Sequence, residues 1–468
     1  MAVADSELRK ENALYPRSVK AASRPLPIHR ILFQLVQNPL RIVPEEAYRE
    51  PIVIRGQAGA YGKAAWVTDP ALIETLLVQN ASKIAKSPLE KRVLGRSLGD
   101  GILTSDGALW RWQRRTMAPL FRAVEISGYV PVMSTAAEEQ VRRWREAGPG
   151  WKRVDKDMTR TTFAVIAATM LAGGESAETE AVKTETERYL SYVSWEIAFT
   201  LLNMPRWLPH PGSLAMRRSA ANLRASIKSI IDKRRAGAAL ERPEEDLLSR
   251  LVAARDPDTG DPMPEARLID NLLTLLEAGH ETTAKALTWT FYLLARAPEW
   301  QTAVRREIKK EAGNDKITAA HLPKLALTQQ VLKESMRLYP PAPSMVRIFI
   351  EPCELGGHRF ERGDMAIFPI FCIHRHRRLW TDPDRFDPAR FSPEREKTYS
   401  RTQFMPFGAG PRICLGNAFA MAEATAILAT VLREVQFDWA GGREPEPISR
   451  ITLRPRGGMR LLVTPLPD

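Results

Sequence analysis

The sequence predicts one mainly α domain with a small β portion, built around a long central helix. Three observations carry this. Apolar residues recur at spacings of three and four through most of the stretch from Pro70 to Ala254. The stretch from Pro264 to Ala297 is apolar on most sides, the mark of a buried helix. Short apolar runs bounded by Gly and Pro occur near residues 51–67 and 345–370, which is room for only a few strands.

The elements follow in order. Residues 1–50 are polar with scattered apolar groups, and Ile31–Val36 reads as a short helix. Pro51–Arg55 and Ala64–Val67 read as a hairpin around Gly56–Gly62. Helices then dominate, punctuated at Gly99–Gly101, Gly148–Gly150, Gly173–Gly174 and Pro205–Pro211. Pro264 suits a first turn and Pro298 a stop. The helix between them would be roughly 50 Å long at 1.5 Å per residue. A helix over about Leu322–Leu338 ends at Pro340–Pro341. Met345–Ile350 and Met365–Ile370 read as strands flanking a Gly356–Gly357 turn. A Pro-rich meander (Asp382–Pro393), a Gly-rich loop (Phe407–Gly416) and a last helix to about Val435 complete the chain.

Composition limits the function classes. The chain has 468 residues, 44% hydrophobic and 26% charged, which suits a globular protein with a large core. At roughly 150 residues per domain the length would suggest about three domains. No repeat or low-complexity linker divides it, so residues 1–468 read as one domain with residues 1–50 packed on it. Lys and Arg number 68 against 55 Asp and Glu, a net charge of +13 that favours acidic partners. Cys353, Cys372 and Cys414 form no CxxC pair, against a zinc ribbon or a redox dithiol. Met1–Lys20 has no apolar secretory core, and no apolar run approaches 18 residues. The expected location is the cytoplasm.

The loop from Phe407 to Gly416 (FGAGPRICLG) is the most unusual segment. Its glycines and Pro411 impose a tight turn, and the amphipathic run from Asn417 places Cys414 just before a helix N-terminus. Free N–H groups and the helix dipole there favour a thiolate. Such a thiolate suits a soft metal or a nucleophile; a small buried Cys is the plain alternative. Gly408-x-Gly410 is no dinucleotide motif, because no third Gly follows and no clear strand precedes it.

The set Phe407, Gly410, Arg412, Cys414 and Gly416 resembles the haem-binding signature of the cytochrome P-450 superfamily, the haem-thiolate monooxygenases. Three further motifs, in the family's order, strengthen the resemblance. In Glu334-Ser-Met-Arg337, carboxylate and guanidinium share a helical face. The family pattern adds an arginine from Pro388-Ala389-Arg390-Phe391, so the resemblance implies a structural triad of Glu334, Arg337 and Arg390. Ala278-Gly-His-Glu281-Thr282-Thr283 resembles the oxygen-binding motif. The resemblance implies that Glu281 and Thr282 relay protons through water to dioxygen; a Glu281–Lys285 helical pair is the plain alternative. His280 is not expected to bind iron, and Thr283 is expected to pack. Trp110 and Arg114, four apart on one face, resemble the element that holds haem propionates, and Arg347 and Arg412 match two further propionate positions.

What the resemblance implies is a triangular single-domain monooxygenase using haem b, with Cys414 as the iron ligand. It would hydroxylate an apolar small molecule with dioxygen and two electrons. Only 54 residues follow Cys414. A separate ferredoxin or flavodoxin with its reductase is therefore the expected electron source. The pocket is expected from Ser87–Leu103, Trp195–Trp207, Leu275 and Ala278, which suits a fatty acid, terpenoid or aromatic compound. A haem-thiolate sensor and a peroxygenase are the alternatives. Membrane contact would be peripheral at most. The run His374–Arg378 departs from the family pattern. It reads as a solvated basic patch and, lacking interleaved aromatics, not as a nucleic-acid site.

Overall fold

The computed structural model describes residues 13–56, 62–170, 177–201, 204–205, 207–236, 247–256 and 258–467. The helices that frame the site are α1 (Ile28–Gln37), α2 (Pro88–Leu98), α3 (Gly107–Met117), α4 (Val130–Glu146), α5 (Val154–Met170), α6 (Ala177–Ser191), α7 (Val193–Leu201), α8 (Ser213–Arg235), α9 (Glu265–Arg296), α10 (Pro298–Ala312), α11 (Ala326–Leu338) and α12 (Asn417–Glu434).

The helix α9 is the axis. Extended Pro264 starts it, and Ala297 leaves the helical region before Pro298 opens α10. Its side chains are apolar almost all round, from Leu268 to Ala295, so it packs on α2, α5, α8, α10, α11 and α12 together. Burying such a helix on every side requires several layers of helices, which is why the chain is mainly α. Among the described residues, no helix is long and apolar enough to cross a membrane.

The strands form small sheets at the margins. Strands β1 (Ile52–Arg55), β2 (Ala64–Val67), β3 (Ile84–Lys86), β5 (Met345–Phe349) and β8 (Met365–Phe368) form one sheet in the order β1-β2-β8-β5-β3. The predicted hairpin is present, with Val53 opposite Trp66; the turn residues 57–61 lie outside the described part. Strands β6 (Cys353–Leu355) and β7 (His358–Phe360) flank the Gly356–Gly357 turn. Strand β4 (Gly150–Arg153) joins β12 (Arg460–Pro465) and β9 (Val435–Asp438), while β10 (Pro447–Ser449) pairs with β11 (Leu453–Pro455).

Two of these strands correct the helical reading of residues 70–254. Strands β3 and β4 are three and four residues long and pair with partners more than 260 residues away, so no local period marks them. The breaker at Gly173–Gly174 lies outside the described residues; α5 before it is buried along most of its length.

The wall of the site comes from the segment after α2. Ser87 caps α2 by accepting from Leu89 N–H at 3.2 Å, and Pro88 takes the first turn. Gly101 then lies flush on α9: a Cβ there would meet Thr274 Oγ1 at 2.4 Å. Ile102 N–H donates to Asn271 Oδ1 at 2.8 Å. Residues 99–104 are thereby fastened to the central helix.

Candidate functional site

The middle of α9 is uncovered where a buried helix should not be. Ala278 is exposed and Glu277, Gly279 and Thr282 are half-buried, although the turns on either side are buried except at the half-buried Lys285. Cys414 is exposed as well, despite lying between the core residues Met405 and Phe419. The strap 99–106 links the two places. It starts on α9 and ends where Arg412 donates to Ser105 O at 2.8 Å and pairs with Asp106. The strap thus runs from α9, next to its uncovered patch, to the loop that carries Cys414.

The loop is closed by Cys414 N–H donating to Phe407 O at 2.9 Å. Gly410 has a φ of +71°, and a Cβ there would strike Leu77 O at 2.2 Å, so only glycine fits. Desolvation dominates the Cys414 thiol and raises its pKa, against the opposing pull of the Gly416 N–H and the nearby Arg114 guanidinium. The sulfur is accessible on one side yet ringed by protein on the others. The helix terminus alone does not make the thiolate that the sequence suggested; the thiol needs a further positive partner. Arg114 is held in place by donating to Ile413 O at 3.0 Å.

A cationic cluster adjoins the loop. Arg412 lies over the Trp110 ring, 4.1 Å from its centroid. Its pKa is lowered to about 10, mainly by burial, with Arg347 pushing the same way and Asp106 opposing. Arg347 is buried, 3.9 Å from Glu90. Lys86, not singled out from the sequence, completes the group. It is buried, pairs with Glu90 at 2.9 Å and contacts Leu103 O. Burial lowers its pKa, as do Arg347 and Arg412. Lys91 pairs with Asp106 at 2.9 Å. Four cations thus face two carboxylates, Glu90 and Asp106, an excess of two positive charges.

The structure does not join Glu281 to Thr282. Glu281 is buried and accepts from Thr452 Oγ1 at 2.9 Å and from Arg454 at 3.3 Å. Thr282 Oγ1 donates to Ala278 O at 2.8 Å, a bond open to a Thr four residues on in a helix. Lys285 makes no hydrogen bond to Glu281; its Nζ lies 3.4 Å from Thr159 Oγ1. His280 stacks edge-on to Phe163 with Nδ1 2.7 Å from Leu276 O. Thr283 is buried.

The Glu334 cluster is complete. Arg337 Nε and Nη2 meet the two Glu334 oxygens at 2.6 and 2.8 Å, and Arg390 Nε lies 3.4 Å from Oε1. All three are buried. The run His374–Arg378 departs from its reading as a solvated patch: His374, Arg375 and His376 are buried, and only Arg377 and Arg378 reach solvent. His374 Nε2 accepts from Met405 N–H at 3.0 Å, and burial beside Arg337 lowers its pKa to about 3. The pocket expectation also needs correction. Trp207 is 77% exposed and faces outward, and Trp195 is exposed too. Leu202 and the side chain of Leu201 lie outside the described residues.

A family model described as Cytochrome P450 matches residues 24–462. This chain belongs to the cytochrome P450 family. Relatives of this P450 include cyclooctatin synthase of Streptomyces melanosporofaciens, 34% identical over 85% of this chain and 84% of the relative. Cyclooctat-9-en-7-ol 5-monooxygenase of the same organism is 33% identical over 71% of this chain and 72% of its own. Cytokinin hydroxylase of Arabidopsis thaliana is 30% identical over 86% of this chain and 78% of its own. The crystal structure of the cytochrome P450DA heme domain shares the fold, with a TM-score of 0.80 at 22% identity, covering 96% and 98% of the two chains. The chain is thus a haem-thiolate oxidoreductase of the monooxygenase class.

The residues of this P450 fit such a group. A haem carries two carboxylates, and the cluster of Lys86, Lys91, Arg347 and Arg412 has two positive charges in excess. Its iron would supply the further positive partner that the desolvated Cys414 thiol needs beside Arg114. Lys86, Lys91 and Glu423 are among the residues the sequence did not mark. Lys86 gives no signal as a single Lys in a three-residue strand. Glu423, fully buried in α12 near Thr283 and pushed up to about 8 by burial, is masked by an ordinary helical pattern.

Proposed function

We propose that this P450 hydroxylates an apolar small molecule of the terpenoid type with dioxygen and two electrons from a separate ferredoxin or flavodoxin and its reductase. Residues 1–468 form one haem-thiolate domain acting in the cytoplasm. The carrying observation is that one strap joins α9, next to its uncovered patch, to the loop of the accessible Cys414. Relatives named cyclooctat-9-en-7-ol 5-monooxygenase and pentalenene oxygenase support the substrate type.

The roles follow from the site. Cys414 is the iron ligand, and the Gly416 N–H with Arg114 offsets the charge of its thiolate. Lys86, Arg347, Arg412 and Trp110 hold the propionates, with Arg412 stacked on the Trp110 ring. Phe407 and Gly410 shape the loop. The cofactor is haem b, because the chain has no CxxCH motif for covalent attachment. The haem supplies the oxygen-activating chemistry. Thr282 has its hydroxyl hydrogen on Ala278 O, which leaves its lone pairs free to hold a water. Glu281 stands one residue before it, linked through Arg454 and Thr452 to strand β11 and its turn. Together they pass protons inward. Glu334, Arg337 and Arg390 lock the core and touch no substrate.

The test is turnover of a terpenoid panel with labelled dioxygen and a surrogate ferredoxin and reductase. The expected product carries one labelled oxygen. Thr282→Ala should cut product formation at least about tenfold, the low end of the general acid–base range being larger still. Electrons would then appear as hydrogen peroxide. Turnover driven equally well by added peroxide would indicate a peroxygenase. Binding without any product would indicate a sensor.

A further inference from the structure

Within residues 277–282, the uncovered patch of α9, Glu277 is the ionisable residue that is not buried. The other members are Ala278, Gly279 and Thr282. Its carboxyl sits where α9 meets α2 and α6. Oε2 lies 3.4 Å from Ser97 Oγ, and Oε1 is buried with no partner.

The neighbouring polar groups face other partners, and Arg96 Nη1 is ion-paired without a hydrogen bond. Tyr189 donates its hydroxyl to Val93 O at 2.9 Å. Arg92 and Arg96 both turn to the buried Glu196, at 3.1 and 3.4 Å. The remaining walls, Val93 and Leu98, are apolar and buried. Burial, with a smaller contribution from Glu281, pushes the Glu277 pKa up to about 8, so the group is a neutral acid near pH 7. A neutral carboxyl both donates and accepts one strong hydrogen bond. An orphaned buried polar atom bears a desolvation cost that no hydrogen bond offsets. Ligand contact would offset that cost.

We propose that Glu277 is the polar anchor of the substrate pocket and hydrogen-bonds one hydroxyl or carbonyl oxygen of an otherwise apolar substrate. The proposal rests on the monooxygenase reading for the use of the pocket. An ammonium guest is disfavoured because Arg92 and Arg96 lie on the adjoining helix. The anchor also sets which carbon is oxidised. Thr282, five residues on, lies roughly 7.5 Å further along the helix axis. The anchored oxygen and the oxidised carbon are separated on that scale.

The test titrates the haem-loaded protein with cyclododecanol, cyclododecanone and cyclododecane. Two readouts are followed: the spin-state shift of the Soret band and the rise in Tm. The wild type should bind the alcohol and ketone about tenfold more tightly than the hydrocarbon, equivalent to about 1.4 kcal/mol. Glu277→Leu should erase that preference, weakening the oxygenated probes and strengthening the hydrocarbon. Glu277→Met, unbranched and similar in length, makes the same comparison if the leucine impairs folding. Each variant must keep the carbon monoxide-bound thiolate band. An unchanged preference in either variant with that band intact overturns the anchor. So does a wild type that shows no preference. A wild type without the thiolate band overturns the monooxygenase reading on which the anchor rests.

Discussion

Two buried charge clusters in this P450 are built from the same residue types and end differently. At Glu334, one carboxylate takes Arg337 and Arg390, and the spare guanidinium hydrogens go to backbone carbonyls. Arg337 donates to His374 O, Pro383 O and Arg385 O; Arg390 donates to Thr381 O and Asp382 O. Asp387 N–H supplies a further bond to Glu334. The cluster is closed. Beside the Cys414 loop, four cations share Glu90 and Asp106, and mutual repulsion works against Lys86 and Arg412. That cluster is open. A closed charge network holds the fold, whereas an open one is shaped for an anionic guest. The contrast separates structural from binding arginines where sequence spacing alone does not.

The largest expected effect breaks the closed cluster. Glu334→Ala leaves two buried guanidinium groups facing no carboxylate and should cost about 3–5 kcal/mol, or prevent folding. Denaturant unfolding of whatever folded protein can be recovered measures it. Arg412→Leu should act in the other direction. It relieves repulsion in the open cluster, so stability without haem should change little. Haem affinity should fall by about 1.5–3 kcal/mol, the worth of a hydrogen bond to a charged group. Haem transfer to an acceptor protein measures that loss. If both variants unfold equally, or both keep haem equally, the distinction between the clusters fails.

Sequence spacing revealed the parts of the site that are local. The Cys414 loop, the Glu334–Arg337 pair and the Thr282 bond to Ala278 each lie within ten residues, so spacing alone predicts their geometry. The central helix was legible because its apolar surface is continuous and prolines mark both ends. Long-range partners were not legible. Glu281 looked like a partner for Lys285 four residues on, and it does attract that ammonium, yet its hydrogen bonds go to Thr452 and Arg454, some 170 residues away. The His374–Arg378 run looked solvated because five basic residues in a row usually are. Three of them are buried by long-range contacts: His374 accepts from Met405 N–H, His376 lies 3.4 Å from Glu50 O, and Arg375 lies over the Phe371 and Tyr339 rings, 3.6 Å from Asp384. Glu277 passed unnoticed because one acid in an apolar helix has no spacing to mark it.

A smaller effect sharpens the comparison from a third place. Glu423 is a single buried acid with no counter-charge, raised to about 8. The unfolded chain releases this proton near pH 4.3, whereas the folded protein keeps it until about 8. The stability it contributes is therefore full at low pH and is lost as pH rises between those values, at about 1.4 kcal/mol per pH unit. Glu277 adds a slope of the same sign. Glu423→Gln should flatten the dependence relative to wild type. An unchanged slope would mean that Glu423 is ionised or solvated in the folded protein.

The most direct test of the central claim is the absorption spectrum of the reduced, carbon monoxide-bound protein beside that of Cys414→His. The account predicts a strongly red-shifted Soret band in the wild type that the substitution abolishes. A histidine-type spectrum in both proteins, or no bound haem in folded, haem-reconstituted protein, would contradict it.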